Sequence, residues 1–139
     1  MLTERFTASA TREQIALLRE HLSRERDAIA TGDVPTRNRL LGEFHVVIAN
    51  MVGNRVIVQL LRELVQRSSL VTLLYQSPRS ASCSSDEHAA LIEAIRRRDA
   101  IGAVRLMDEH LAHVEHDLAL SADDAKAMTL RAALTPVKV

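Results

Sequence analysis

The stretch SSDEHAALIEAIRRRDAIGAVRLMDEHLAHVEHDL, residues 84–118, decides the fold. Ser84 and Glu87 have the spacing of a capping box, and Leu91, Ile92 and Ile95 follow at helical intervals. Asp99 is placed to cap a second helix whose stripe is Val104, Met107, His110, Leu111, Val114 and Leu118. The segment therefore reads as two amphipathic helices joined by a tight turn. Each carries one histidine, His88 or His110, within three or four residues of core positions and hence on the inward face.

Upstream, Thr11 and Gln14 form another capping box. The helix it opens carries Ile15, Leu18, Leu22, Arg26 and Ile29, and Gly32 is suited to end it in a left-handed turn. After the turn at Asp33–Thr36, a second helix runs from Pro35 to Val52 with Leu41, Phe44, His45, Ile48 and Val52 on one face. Gly53-Asn54 breaks it and caps a third, from Arg55 to about Tyr75. Residues 77–85, with Pro78 and five serines, read as a loop. Met1–Ala10 reads as a polar tail or the remnant of a truncated first helix. The pattern fades after Ser121, leaving residues 122–139 as a short helix or tail that Pro136 ends. Residues 11–121 thus make one all-α antiparallel helical bundle.

Composition agrees. A chain of 139 residues can bury roughly two-thirds of its unfolded surface as one domain. With 47% hydrophobic and 26% charged residues, disorder is not expected. Aromatics at 2% leave a core of aliphatic side chains, which favours helix over sheet. The 18 basic and 18 acidic residues cancel, so the chain lacks the basic excess that phosphate neutralisation gives a DNA-binding domain. A single cysteine, Cys83, rules out an internal disulfide and fits a reducing compartment; it has no base nearby in sequence to make it a nucleophile. No apolar run approaches the ~20 residues of a membrane span, and no signal peptide is legible, so a cytoplasmic location is the simplest expectation.

His45, His88 and His110 place three imidazoles on the inward faces of three helices. A lone histidine there is usually a core residue satisfied by a neighbour. Three unpartnered ones would cost on the order of 1–3 kcal/mol each, and a divalent metal would satisfy all three. No HExxH, CxxC or Glu-x-x-His occurs, so zincin, zinc-ribbon and ferritin-like readings lack their signatures. His113 and His116 rotate off the apolar face and read as solvated, and His21 as surface. Arg96-Arg97-Arg98 reads as a solvated helix C-terminus. Arg67 and Tyr75 lie at the edge of the third helix's apolar face and could reach a pocket, although snorkelling at the rim is the commoner role.

Three blocks, GEFHVVIANMVGN (42–54), SSDEHAALIEAI (84–95) and RDAIGAVRLMDEHL (98–111), together resemble the FCD domain, the C-terminal effector domain of FadR-type GntR-family transcriptional regulators. The resemblance implies a helical bundle around a pocket for a small organic acid, assembled as a homodimer. It also implies a metal at the pocket floor, held by an aspartate and three histidines. Matched residue by residue, His45, His88 and His110 take the histidine positions, and the aspartate position is Leu41. Glu43 stands about 200° round the helix from His45 and is a poor substitute. Three histidines alone can hold zinc or nickel with positions left for water or an effector carboxylate. The pattern's winged helix-turn-helix is not present before Thr11, so DNA contact would run through a domain outside this sequence. The expectation is a non-enzymatic effector-binding and dimerisation domain, its pocket drawing on Leu41, Arg67 and Tyr75. Two alternatives stay open: a three-histidine zinc hydrolase, and a purely structural dimerisation bundle.

Overall fold

In the computed structural model, which describes residues 2–134 apart from the side chains of Tyr75, 120–122 and 124–134, the chain is all-helical. Six helices follow one another: α1 Leu2–Ser9, α2 Arg12–Ala30, α3 Val34–Val52, α4 Arg55–Tyr75, α5 Pro78–Arg96 and α6 Ala100–Leu134. The packed pairs α2·α3, α3·α4, α2·α5 and α5·α6 make an antiparallel bundle, and α1 lies across α3, α5 and α6. No described helix is long and apolar enough to cross a membrane.

The punctuation works largely as the sequence predicts. Thr11 and Gln14 complete a reciprocal capping box, with bonds of 3.1 and 3.0 Å. Gly32, at φ 68°, closes α2 in a Schellman turn, the Asp33 N–H donating to the Ala28 carbonyl. Asp33 and Asn54 cap α3 and α4 through the amides of Thr36 and Ile57.

One expectation is corrected, that of a loop at 77–85, and at each end of the chain one of two open alternatives is taken up. The N-terminal segment is an ordered helix whose Phe6 and Thr7 are buried in the core. The serine-rich stretch 77–85 is helical from Pro78: Ser77 is the N-cap, accepting from the Ser80 amide at 3.0 Å, and Pro78 occupies the first turn, where its missing N–H is harmless. Ser84 is therefore an interior residue, its small side chain buried against neighbouring helices. Finally, α6 continues unbroken to Leu134, while Pro136 lies outside the described residues.

The core joins Phe6, Leu18, Phe44, Ile48, Leu91 and Ile95, drawn from α1, α2, α3 and α5, with Met107 of α6. Two arginines tie helix ends to it. Arg98 donates to the carbonyls of Thr7 and Ala10 at 2.9 and 2.5 Å, capping α1, so it is not merely a solvated cation. Buried Arg37 donates to the Gln76 carbonyl at the end of α4, at 2.9 Å.

Candidate metal centre

Each of the three predicted histidines is presented by a different helix: His45 by α3, His88 by α5 and His110 by α6. The bundle brings them together. His88 Nε2 stands 3.2 Å from His110 Nε2, which stands 3.2 Å from His45 Nε2. One ligand nitrogen from each of the three lies within 4.8 Å of the other two. The edge of a tetrahedron with zinc–nitrogen bonds of ordinary length is about 3.3 Å, so these separations suit one ion. His88 and His110 are 1% and 3% exposed.

The far sides of two rings are held by carboxylates. His88 Nδ1 faces both oxygens of Glu25, at 2.9 and 3.1 Å, and His110 Nδ1 meets Glu87 at 2.6 Å. A neutral imidazole that donates from Nδ1 keeps its lone pair on Nε2. Two lone pairs then face each other across the centre, an arrangement that a cation between them satisfies. Burial pushes the imidazoles of His45 and His88 well below the ordinary histidine range, with neighbouring imidazoles adding to the effect. Burial thus favours the neutral form of His45 and His88, the form a metal requires. Phe44, fully buried, stacks on His88 with ring centroids 3.8 Å apart and fixes its plane.

Glu25 is the residue that the sequence reading missed. Burial pushes its carboxyl up to about 7, with His21 opposing the rise. The true buried face of α2 is Ile15, Leu18, His21, Leu22, Glu25 and Ala28. Extending the stripe from Leu22 by three residues rather than four would have found Glu25. His21 is buried as well, contrary to expectation, and its Nε2 sits 2.8 Å from the Leu40 carbonyl. Glu87 carried no such signal: it lies beside His88 in the chain yet serves His110 on the next helix, and it also meets exposed His113. Glu43 pairs with Arg39 at 2.8 Å on an exposed face.

Beside the histidines lies a cavity of about 590 Å³, walled by α1, α3, α4, α5 and α6. Leu41 lines it, as do all three histidines. Arg67 is exposed and is not part of the wall, and the Tyr75 side chain lies outside the described residues. Asp108 and Glu115 of α6 line it from exposed positions.

The family model of the FCD domain matches residues 1–113, a span that contains all three histidines. The chain belongs to that family. No protein of curated function and no solved structure matches it.

Proposed function

We propose that this FCD domain senses a small organic acid through a divalent ion, zinc or nickel, held by His45, His88 and His110. FCD domains are the C-terminal effector-binding domains of GntR-family regulators, which are transcription factors rather than enzymes. The finer reading is carried by one observation: three Nε2 atoms converge at 3.2 Å contacts, and two of the rings are held from behind by Glu25 and Glu87. Such outer carboxylates fix the ring orientation and raise ligand basicity in histidine metal sites.

The histidines would hold the ion, which would supply Lewis acidity for an anionic oxygen at the pocket floor. The chain's own residues do the rest. Glu25, Glu87 and Phe44 orient two of the rings, and the aliphatic walls exclude water from the effector. Binding one arrangement of the bundle better than another shifts the geometry of a homodimer of FadR type, and thereby the two winged helices that a full-length regulator presents to DNA.

Elemental analysis and native mass spectrometry of protein purified without an affinity tag test this. About one equivalent of metal per chain, lost when all three histidines become alanine, is the expected result. Metal content unchanged in that variant would overturn it, and so would a metal-free, ligand-indifferent parent, which would leave a purely structural bundle.

A further inference from the structure

We infer that the cavity takes a monoanion with a single oxygen head group and an elongated apolar body, and rejects di- and tricarboxylates. The inference rests on the metal reading above and adds the class of ligand.

The argument is one of charge. Among the described residues that wall the cavity there is no lysine or arginine. Among those residues the two ionisable side chains besides the histidines, Asp108 and Glu115, are acidic. Among these groups an anion therefore meets a positive charge at one place, a dication on three uncharged imidazoles. Donors without charge leave the ion's positive charge uncompensated, which strengthens its hold on one anionic oxygen.

Beyond that point the walls turn apolar. Leu61, Leu64 and Val65 on α4 face the cavity, as do Leu111, Val114 and Leu118 on α6. A second carboxylate among them would find no cation to pair with, and Asp108 and Glu115 would repel it. The polar groups farther along do not rescue it. Ser69 Oγ donates to the Val65 carbonyl at 2.6 Å, Ser68 Oγ to the same carbonyl at 3.2 Å, and Thr72 Oγ1 to the Ser68 carbonyl at 2.9 Å. With their protons committed, these hydroxyls offer lone pairs to the cavity. Acceptors facing a carboxylate repel it. The stretch of α6 from His110 to Leu118 spans roughly 12 Å at the rise of an α-helix, the reach of a medium-length aliphatic chain.

Calorimetry on the full chain tests this with octanoate, suberate (the same chain with a carboxylate at each end) and citrate. Zinc is titrated first without any acid, so the metal reading is judged separately. Absence of zinc uptake overturns both proposals. With zinc bound, octanoate is expected to bind on the order of tenfold or more tighter than suberate or citrate, and to lose most of its affinity when zinc is stripped. Suberate or citrate binding as tightly as octanoate overturns the ligand class while leaving the metal reading intact. Octanoate binding equally well without zinc also overturns it. Leu111→Lys provides a gain-of-function arm, because Leu111 is 47% exposed at the cavity wall and tolerates a polar replacement. The added cation should bring suberate level with octanoate; an unchanged preference counts against the proposal.

Discussion

Leu41 sits four residues before His45, on the same face of α3, 7% exposed at the wall of the cavity. Leu41→Asp should have two effects of opposite sign. An anionic oxygen beside three imidazoles tightens zinc binding by about tenfold or more, read by competition with a chelating dye. Without metal the same carboxylate is buried and unpaired, so the melting temperature of the stripped variant should fall. If both forms moved in the same direction, Leu41 would not face the ion. Glu25 is a positioning residue, and its test is graded. Glu25→Leu leaves His88 Nδ1 without a partner and should weaken zinc binding by roughly 10–100-fold, whereas Glu25→Gln, which can still accept from Nδ1, should recover part of it. Equal losses in the two variants would mean that Glu25 contributes packing alone. Arg98 makes a different point. It adopts φ 61°, a conformation that disfavours side chains by about 1–2 kcal/mol, yet it donates two charge-assisted bonds to the end of α1. Arg98→Ala keeps the strain and loses the bonds, so urea unfolding should show a loss of about 2 kcal/mol, and Arg98→Gly a smaller one.

At the scale of the helices, boundaries set by local chemistry were legible and those set by packing were not. Thr11, Gly32, Gly53 and Asn54 act within one turn of themselves, and each does what its residue type predicts. The three histidines were legible for the same reason, since spacing against Leu, Ile and Phe fixes the face. The start of α5 was not. Serines are indifferent helix formers, and what makes residues 78–83 helical is the cap at Ser77 together with the burial of Ala81, Ser84 and Ser85 between helices. Glu25 and Glu87 belong to the same class, because their partners lie 63 and 23 residues away. Helix α4 is the thin wall of the cavity. Val58 is the one residue buried among its described side chains, while Leu60, Leu64, Leu70 and Leu74 are each at least 60% exposed. It packs tightly on α3 at Gly42, where a Cβ would stand 2.6 Å from Val65 Cγ1. Gly42→Ala sets a helix-propensity gain of about 1 kcal/mol against overpacking of about 1–3, and the clash with a branched, helix-bound valine should prevail. The variant should melt lower. Native-state hydrogen exchange, expected to be fastest in α4 among the long helices because so little of it is buried, should quicken there first. Uniform quickening across α2 and α5 would show instead that α4 is bound into the core.

For the molecule as a whole, the histidines stitch together helices that the chain keeps far apart. His45 and His110 are 65 residues distant in sequence, with all of α4 and α5 between them. An ion on His45, His88 and His110 would therefore bind the folded bundle and not the unfolded chain, where the three imidazoles are scattered. Linkage fixes the size of the effect. At free zinc a hundredfold above the dissociation constant, the native state gains about 2.7 kcal/mol, and each further tenfold adds about 1.4. For a domain of this length that corresponds to a rise in melting temperature of roughly 10 °C at the first concentration. The rise should be logarithmic in free zinc, vanish with chelator, and be absent when the three histidines are alanine. His113, with 66% of its side chain exposed, supplies the control, because an ion collected at the surface would depend on it. His113→Ala should leave the zinc response in place. If the rise survived in the triple variant and disappeared in His113→Ala, the ion would be binding outside the bundle, and the convergence of the three buried rings would be a feature of packing alone.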